Sequence, residues 1–149
     1  MIEKDIVGKV EGIYYKDREG IIRPIEKGYF KEHKGLIEDI RSHKENRQVS
    51  FFTVEGWDEI RSSGRIGLCT KKFHEDIRIR NLDVNDIRVG SLIKIGDAIF
   101  QITVIGKRCF PECGIVKEGL SCPLSKEVMF AAVIKSGSVK VGDSLLRIT

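Results

Sequence analysis

Three cysteines within one short stretch of the chain have the residue type and spacing that could carry chemistry. They are Cys109, Cys113 and Cys122, and Lys107 and Arg108 come directly before the first of them. Basic neighbours favour the thiolate form of a cysteine, which is the form that attacks, binds metals and carries sulfur. A second thiol nearby could relay that sulfur. The stretch therefore predicts sulfur chemistry centred on Cys109.

Two other interpretations of the cysteines stay open at the level of the residues. Structural zinc needs four ligands, so Cys69 or His74 would have to complete a set with Cys109, Cys113 and Cys122. The usual four-cysteine iron–sulfur spacings are not matched. Cysteines that are simply buried as small apolar side chains are the remaining alternative, and Cys69, which follows an apolar pair, fits it best.

The totals indicate one soluble domain over residues 1–149. Apolar residues make up 41% of the chain and charged residues 32%, and no apolar run approaches the length of about 20 residues that spans a bilayer. The N-terminal residues carry both signs of charge and lack the apolar core of a signal peptide. We expect a cytoplasmic protein with no membrane partner, in which cysteines are reduced, metal-bound or catalytic.

The charge is mild and mixed along the chain. There are 26 basic and 22 acidic residues, which gives a net charge of +4. A nucleic-acid module usually shows a denser basic stripe with aromatic residues interleaved. The sequence therefore predicts no nucleic-acid partner, and a small anionic ligand fits the balance better.

Short β-type segments surround the cysteines. The three cysteines fall between two of these segments, the apolar runs at 98–105 and 128–134. A connection of about twenty residues is longer than compact domains usually tolerate without a function. Further strands are predicted at residues 7–15, 21–25, 48–53, 73–79, 91–95 and 144–148. Many short strands with little helix are typical of a small barrel or sandwich.

Turn and helix signals refine this pattern. Glycines within 7–15 predict a bulge or bend, and Pro24 places 21–25 at a sheet edge. Gly96-Asp97 predicts a two-residue hairpin turn, and 28–35 is polar and predicted as a loop. Thr53 is expected to cap a short helix over 54–61 that ends at 62–64. Residues 89–95 resemble 141–148, which ordinary turn chemistry explains.

An ordered set of short motifs resembles the MOSC domain, the module named for the C-terminal region of molybdenum-cofactor sulfurases. The resemblance runs through most of the chain, and its motifs are Gly8-Lys9-Val10, Gly35-Leu36 with Asp39, Arg47-Gln48-Val49-Ser50, Phe73 with Glu75 and Ile77, Val89-Gly90-Ser91-Leu92, Gly106-Lys107-Arg108-Cys109, and Val141-Gly142-Asp143. The chain departs from the family at Arg41 and Phe110, where histidine is common, and at Asp76, where asparagine is usual.

The resemblance implies a mainly β fold, a MOSC-like barrel with one or two short helices. It implies a domain that carries sulfur on a cysteine, or binds the molybdenum cofactor, during metal–sulfur cofactor maturation. The implied partners are a pyridoxal-phosphate-dependent cysteine desulfurase or molybdenum-cofactor enzymes. The residues that it assigns are Cys109 as carrier or metal-ligating thiol, Cys113 and Cys122 as relay thiols or co-ligands, and Arg47, Lys107, Arg108 and Glu75 around an anionic cofactor.

Two rival functions remain at this stage. One is a zinc- or iron-binding structural module built on the clustered cysteines, and the other is a fragment of a molybdenum-dependent oxidoreductase. Glu75 is unusual in either case because a carboxylate among apolar neighbours needs a partner. It would organise the site or pair with Arg47.

Overall fold

A computed structural model describes residues 4–39, 48–63, 74–82, 87–106 and 128–148. Within these ranges the chain forms one helix, α1 (Val54–Ser63), and a series of short strands. The strands are β1 (Lys4–Lys16), β2 (Ile22–Ile25), β3 (Lys27–Lys31), β4 (Gly35–Leu36), β5 (Val49–Thr53), β6 (Ile77–Arg80), β7 (Leu92–Ile95), β8 (Ala98–Ile105), β9 (Met129–Lys135), β10 (Gly137–Lys140) and β11 (Ser144–Ile148). No helix in the described ranges is long and apolar enough to cross a membrane.

The main sheet closes on itself into a barrel. Its strands follow the order β11-β7-β8-β9-β5-β6-β1, and a further pairing of β11 with β1 completes a closed barrel of 7 strands. The pairings are antiparallel except for β5 and β6, which run parallel and are joined through α1. The predicted barrel with a short helix is therefore confirmed.

Alternation along the strands fills the barrel. On β8, for example, Ala98, Phe100 and Ile102 are buried while the residues between them are half-buried. Phe100 lies at the centre and makes edge-to-face contacts with Phe30 and Phe51, with ring centroids 5.3 and 5.6 Å away. Such contacts are worth about 0.5–1.5 kcal/mol each beyond the buried area.

A second, smaller sheet covers one end of the barrel. We call β10, β3 and β4 the cap sheet; they are hydrogen-bonded in that order. Phe30, Leu36 and Val139 are fully buried on its inner face. The prediction of a polar loop over 28–35 is wrong in its first half. Lys27–Lys31 forms the strand β3, which pairs with β10 and β4 and alternates exposed and buried residues. The strand β10 was not predicted.

Several local predictions are confirmed by the strand register. The β1–β6 register shifts between Val10 and Gly12, which is the predicted bulge. β2, with Pro24, pairs only with β1 and lies at the edge of its sheet. Ile95 pairs with Ala98 across the predicted Gly96-Asp97 hairpin turn. The predicted strand over 73–79 begins later than expected, at Ile77. Asp76, just before it, accepts a hydrogen bond from Tyr14 N–H of β1 through its carbonyl and donates its own amide to Ser50 O.

The resemblance between 89–95 and 141–148 corresponds to two turns of the same geometry. Gly90 and Gly142 both have φ +96°, a value that favours glycine. In each turn the side chain of the next residue, Ser91 or Asp143, accepts a hydrogen bond from a backbone amide three residues earlier. The strands that follow, β7 and β11, pair with each other.

Candidate functional site

The parallel crossover β5–α1–β6 positions the polar residues that the motifs of the sequence single out. Thr53 ends β5 and accepts a hydrogen bond from the Gly56 amide at 2.9 Å, which caps α1 as predicted. The helix then runs back along the outer side of the barrel over Phe52, whose ring meets that of Trp57 edge-to-face at 5.2 Å. The crossover thus brings the second turn of α1 over the chain that enters β6.

Four buried polar residues of the predicted motifs accept hydrogen bonds from neighbouring segments; we call them the polar seam. They are Asp39, Gln48, Ser50 and Asp76, and all four are buried. Backbone groups tie them to neighbouring strands: Lys16 N–H donates to Asp39 Oδ2 at 3.1 Å, and Val133 N–H donates to Gln48 Oε1 at 2.9 Å. Gln48 therefore joins the start of β5 to β9, and Asp39 joins the segment after β4 to β1.

Asp76 shows why an aspartate can stand where the family has asparagine. Its Oδ2 accepts hydrogen bonds from both the amide and the hydroxyl of Ser50, at 2.9 and 3.1 Å. The Asp76 amide in turn donates to Ser50 O at 3.1 Å. Both bonds to the side chain require only an acceptor, which a carboxylate supplies as well as an amide oxygen does.

Glu75 lies beside the seam and is fully buried. The indole Nε1 of Trp57 donates to Glu75 Oε2 at 2.5 Å. Arg78 pairs with the carboxylate through Nε and Nη2, both at 3.4 Å, and its own side chain is 27% exposed. The buried carboxylate thus has the partners that burial demands.

Aromatic rings hold Arg78 in place over the barrel wall. Its guanidinium carbon lies 4.8 Å from the ring centroid of Tyr14 and 5.8 Å from that of Trp57. Cation–π contacts of this kind stabilise by about 0.5–1 kcal/mol at partly exposed positions. We call Glu75, Arg78, Trp57 and Tyr14 the Glu75 cluster.

Most of the predicted site residues lie outside the described ranges. These are Cys109, Cys113, Cys122, Lys107, Arg108 and Arg47, together with Cys69. Their assigned roles stay predictions. Of the predicted set only Glu75 is described, and its described partners are Arg78 and Trp57. The alternative prediction, a pairing of Glu75 with Arg47, involves a residue outside the described ranges.

The flanks of the cysteine stretch are well defined. Gly106 N–H donates to Val128 O at 2.7 Å, so β8 and β9 are still paired where the stretch leaves and returns. Phe51 of β5 pairs with Met129 at the start of β9. By the same register Val128 lies level with Phe52 of β5. Gln48, which follows Arg47, comes about four residues before Phe52, so it is offset from Val128 by about 13 Å along the strand at the usual rise per residue.

Sequence reasoning missed three members of the Glu75 cluster. Arg78, Trp57 and Tyr14 are not among the residues that the sequence predicts for the site. The one available signal was Trp57, since a buried indole N–H needs an acceptor. Nothing in the sequence says which carboxylate supplies it.

The residues predicted to hold a molybdenum cofactor lie outside the described ranges, apart from Glu75. Within the described ranges no group of three or more His, Cys, Asp or Glu could hold a metal ion. A cavity beside Phe51 and Met129 has a volume of about 10 Å³, enough for about one water, so the barrel interior there is packed.

Comparison with known proteins shows relatedness of fold. No family model matches the chain, and no curated protein matches it in sequence. The crystal structure of YuaD from Bacillus subtilis is similar with a TM-score of 0.75 and 16% identity, over 100% of this chain and 99% of that one.

Two structures of YiiM are also similar. The protein from Geobacillus stearothermophilus has a TM-score of 0.59 and 17% identity, over 99% of this chain and 76% of its own. The protein from Escherichia coli has a TM-score of 0.62 and 13% identity, over 95% and 70%. At these identities the likeness concerns the fold alone. YiiM is a MOSC-domain protein, so this likeness fits a MOSC-like fold, in agreement with the motif resemblance.

Proposed function

We propose that this protein is a MOSC-type sulfur carrier that acts in metal–sulfur cofactor maturation through Cys109. The observation that carries the proposal is the MOSC-like barrel, in which the cysteine-bearing connection joins two strands that remain paired up to Gly106 and Val128. A functional loop held between rigid strands is the usual arrangement of a reactive group on a scaffold.

The proposed step is a thiol–persulfide exchange. The Cys109 thiolate attacks the outer sulfur of a donor persulfide, a new S–S bond forms at Cys109, and the donor's S–S bond breaks. The donor leaves as a thiolate and no net oxidation takes place. Lys107 and Arg108 favour the attacking thiolate, and Cys113 or Cys122 would pass the sulfur on by the same exchange.

The remaining predicted residues are given supporting roles. Arg47 would contribute positive charge near the start of β5. Glu75, which is buried, would act by holding Arg78 and the crossover in position. Molybdenum-cofactor binding remains a narrower proposal that depends on Cys109, Arg47, Lys107 and Arg108, and no step is derived through it.

The test is intact-protein mass spectrometry after incubation with a pyridoxal-phosphate-dependent cysteine desulfurase and cysteine. We expect a mass gain of about one sulfur atom that reductant removes, and its loss in Cys109→Ala. Cys69→Ala is the matched control and should load normally. A chain that gains no sulfur, or that gains it equally with Cys109→Ala, contradicts the proposal; a bound metal lost together with the fold on chelation would indicate the structural metal module instead.

A further inference from the structure

The outer face of the cap sheet carries an apolar row between exposed lysines. Tyr29 on β3 pairs with Ser138 on β10, and on its other side its carbonyl accepts a hydrogen bond from Ile37 N–H at 2.9 Å. Tyr29 and Ile37 are 40% and 43% exposed. Lys27 and Lys31, two residues to either side of Tyr29, are exposed on the same face.

Two of these charges oppose each other directly. Lys27 is the cross-strand partner of Lys140, and like charges in this position destabilise a sheet. The barrel wall has a similar pair, Lys9 with Arg80, but there Glu11 lies 3.4 Å from Arg80 and compensates. Among the described residues, neither Lys27 nor Lys140 has an ion-pair partner.

We infer that the outer face of the cap sheet docks an acidic protein surface, with Tyr29 and Ile37 as its apolar centre. An apolar centre within a polar rim is the common arrangement of protein interfaces, and exposed tyrosines often dominate their binding energy. Opposing carboxylates would relieve the repulsion between Lys27 and Lys140 and orient the encounter.

The acidic residues at the margin decide between a protein and a polyanion. Glu26 and Glu32 flank β3 and are exposed, and Glu38 Oε1 accepts a hydrogen bond from Tyr29 N–H at 3.4 Å. A phosphate backbone or an anionic bilayer presents continuous negative charge and would meet these carboxylates. A protein can place its acidic groups opposite the lysines alone, so the mixed margin favours a protein.

The inference is tested by titrating the isotope-labelled protein with a synthetic helical peptide of about twenty residues, whose leucine stripe is flanked by glutamates. We expect amide shifts concentrated in β3, β10 and the Ile37 region, and weaker binding at high salt. The double variant Lys27→Glu/Lys140→Glu should bind about tenfold more weakly. Lys27→Glu alone places opposite charges across the strands, so it gives a variant that folds if the double variant does not.

The matched control is Lys9→Glu/Arg88→Glu, which makes the same change of net charge at exposed positions off the cap sheet. It should bind the peptide as the unmodified protein does. The inference is overturned if the peptide does not bind, if the shifts lie elsewhere, or if the control weakens binding equally. It is also overturned if a thymidine oligonucleotide or phosphatidylserine vesicles bind this face more tightly than the peptide. None of these outcomes depends on sulfur transfer to Cys109.

Discussion

The pairing of Glu75 with Trp57 and Arg78 explains how a carboxylate is tolerated inside the wall of a barrel. The indole and the guanidinium come from different elements, α1 and β6, so the carboxylate connects them. The sequence alone predicts that Glu75 needs a partner. The sequence alone does not identify Arg78 as that partner, because residues three apart on an extended chain point in different directions. Glu75 and Arg78 meet because the chain bends before β6.

The first prediction concerns this residue. Glu75→Gln keeps the size of the side chain but removes the charge that compensates Arg78, so we expect the free energy of unfolding to fall by about 1–3 kcal/mol. Trp57 is the only tryptophan of the chain, so its fluorescence reports the change of its hydrogen-bond partner from a carboxylate to an amide. Chemical denaturation followed by Trp57 fluorescence measures the free energy of unfolding, and the emission of the folded protein reports the environment of the indole.

The control is Glu59→Gln on the exposed side of the same helix, which should change the stability by no more than about 0.5 kcal/mol. Equal effects of the two substitutions would mean that the Glu75 cluster contributes no specific stability.

At the scale of elements, α1 lies so close to β5 that one glycine becomes necessary. A Cβ added to Gly56 would lie 2.5 Å from Phe52 Cζ and 2.9 Å from the capping Thr53 Oγ1. In the sequence this glycine argues against a helix, since glycine lowers helix propensity. The structure gives the opposite reason for its presence, which is packing.

The second prediction follows from that contact. Gly56→Ala should destabilise the fold by about 1–3 kcal/mol because the added methyl overpacks the interface with Phe52, although alanine is the better helix former. Thermal unfolding measured by circular dichroism tests this. The comparison is Ser62→Ala at an exposed position of α1, which should be neutral or slightly stabilising; a stabilising Gly56→Ala would refute the packing argument.

The elements that the sequence predicted well are those with strong local signals. β8 and β11 have the bounds that their apolar residues predict, 98–105 and 144–148. Thr53 caps α1 because its hydroxyl accepts a hydrogen bond from the Gly56 amide. The sequence predicts a loop in place of β3 because only Tyr29 and Phe30 are apolar in Lys27–Lys31. Its strand conformation comes from pairing with β10, which is far away in sequence, and with β4, which follows after a turn.

At the scale of the whole molecule, the barrel depends on a pairing between its first and last strands. Lys4 is the partner of Ile148, and the ladder continues to Lys9 with Ser144. Leu145 of β11 is buried in the core. Such a pairing is invisible to local patterns, which is why the sequence indicated a barrel or sandwich without deciding how it closes.

The third prediction is that deletion of residues 144–149 abolishes cooperative unfolding. Without β11 the edges of β1 and β7 are left unpaired and the core loses Leu145, so we expect native-like secondary structure without fixed packing. Near-ultraviolet circular dichroism and thermal scans measure this. Removal of residue 149 alone should leave the transition unchanged, and a truncated chain that still unfolds cooperatively would contradict the role given to closure.

The same pairing sets how the domain would respond to tension. Because β1 and β11 are antiparallel and Lys4 pairs with Ile148, a pulling force applied through the two ends acts across the ladder, in the direction of its hydrogen bonds. The bonds then break one after another, as in a zipper, and not all together as they would under shear. The barrel is therefore mechanically weak along this axis, and it would yield early if the chain were stretched between its ends.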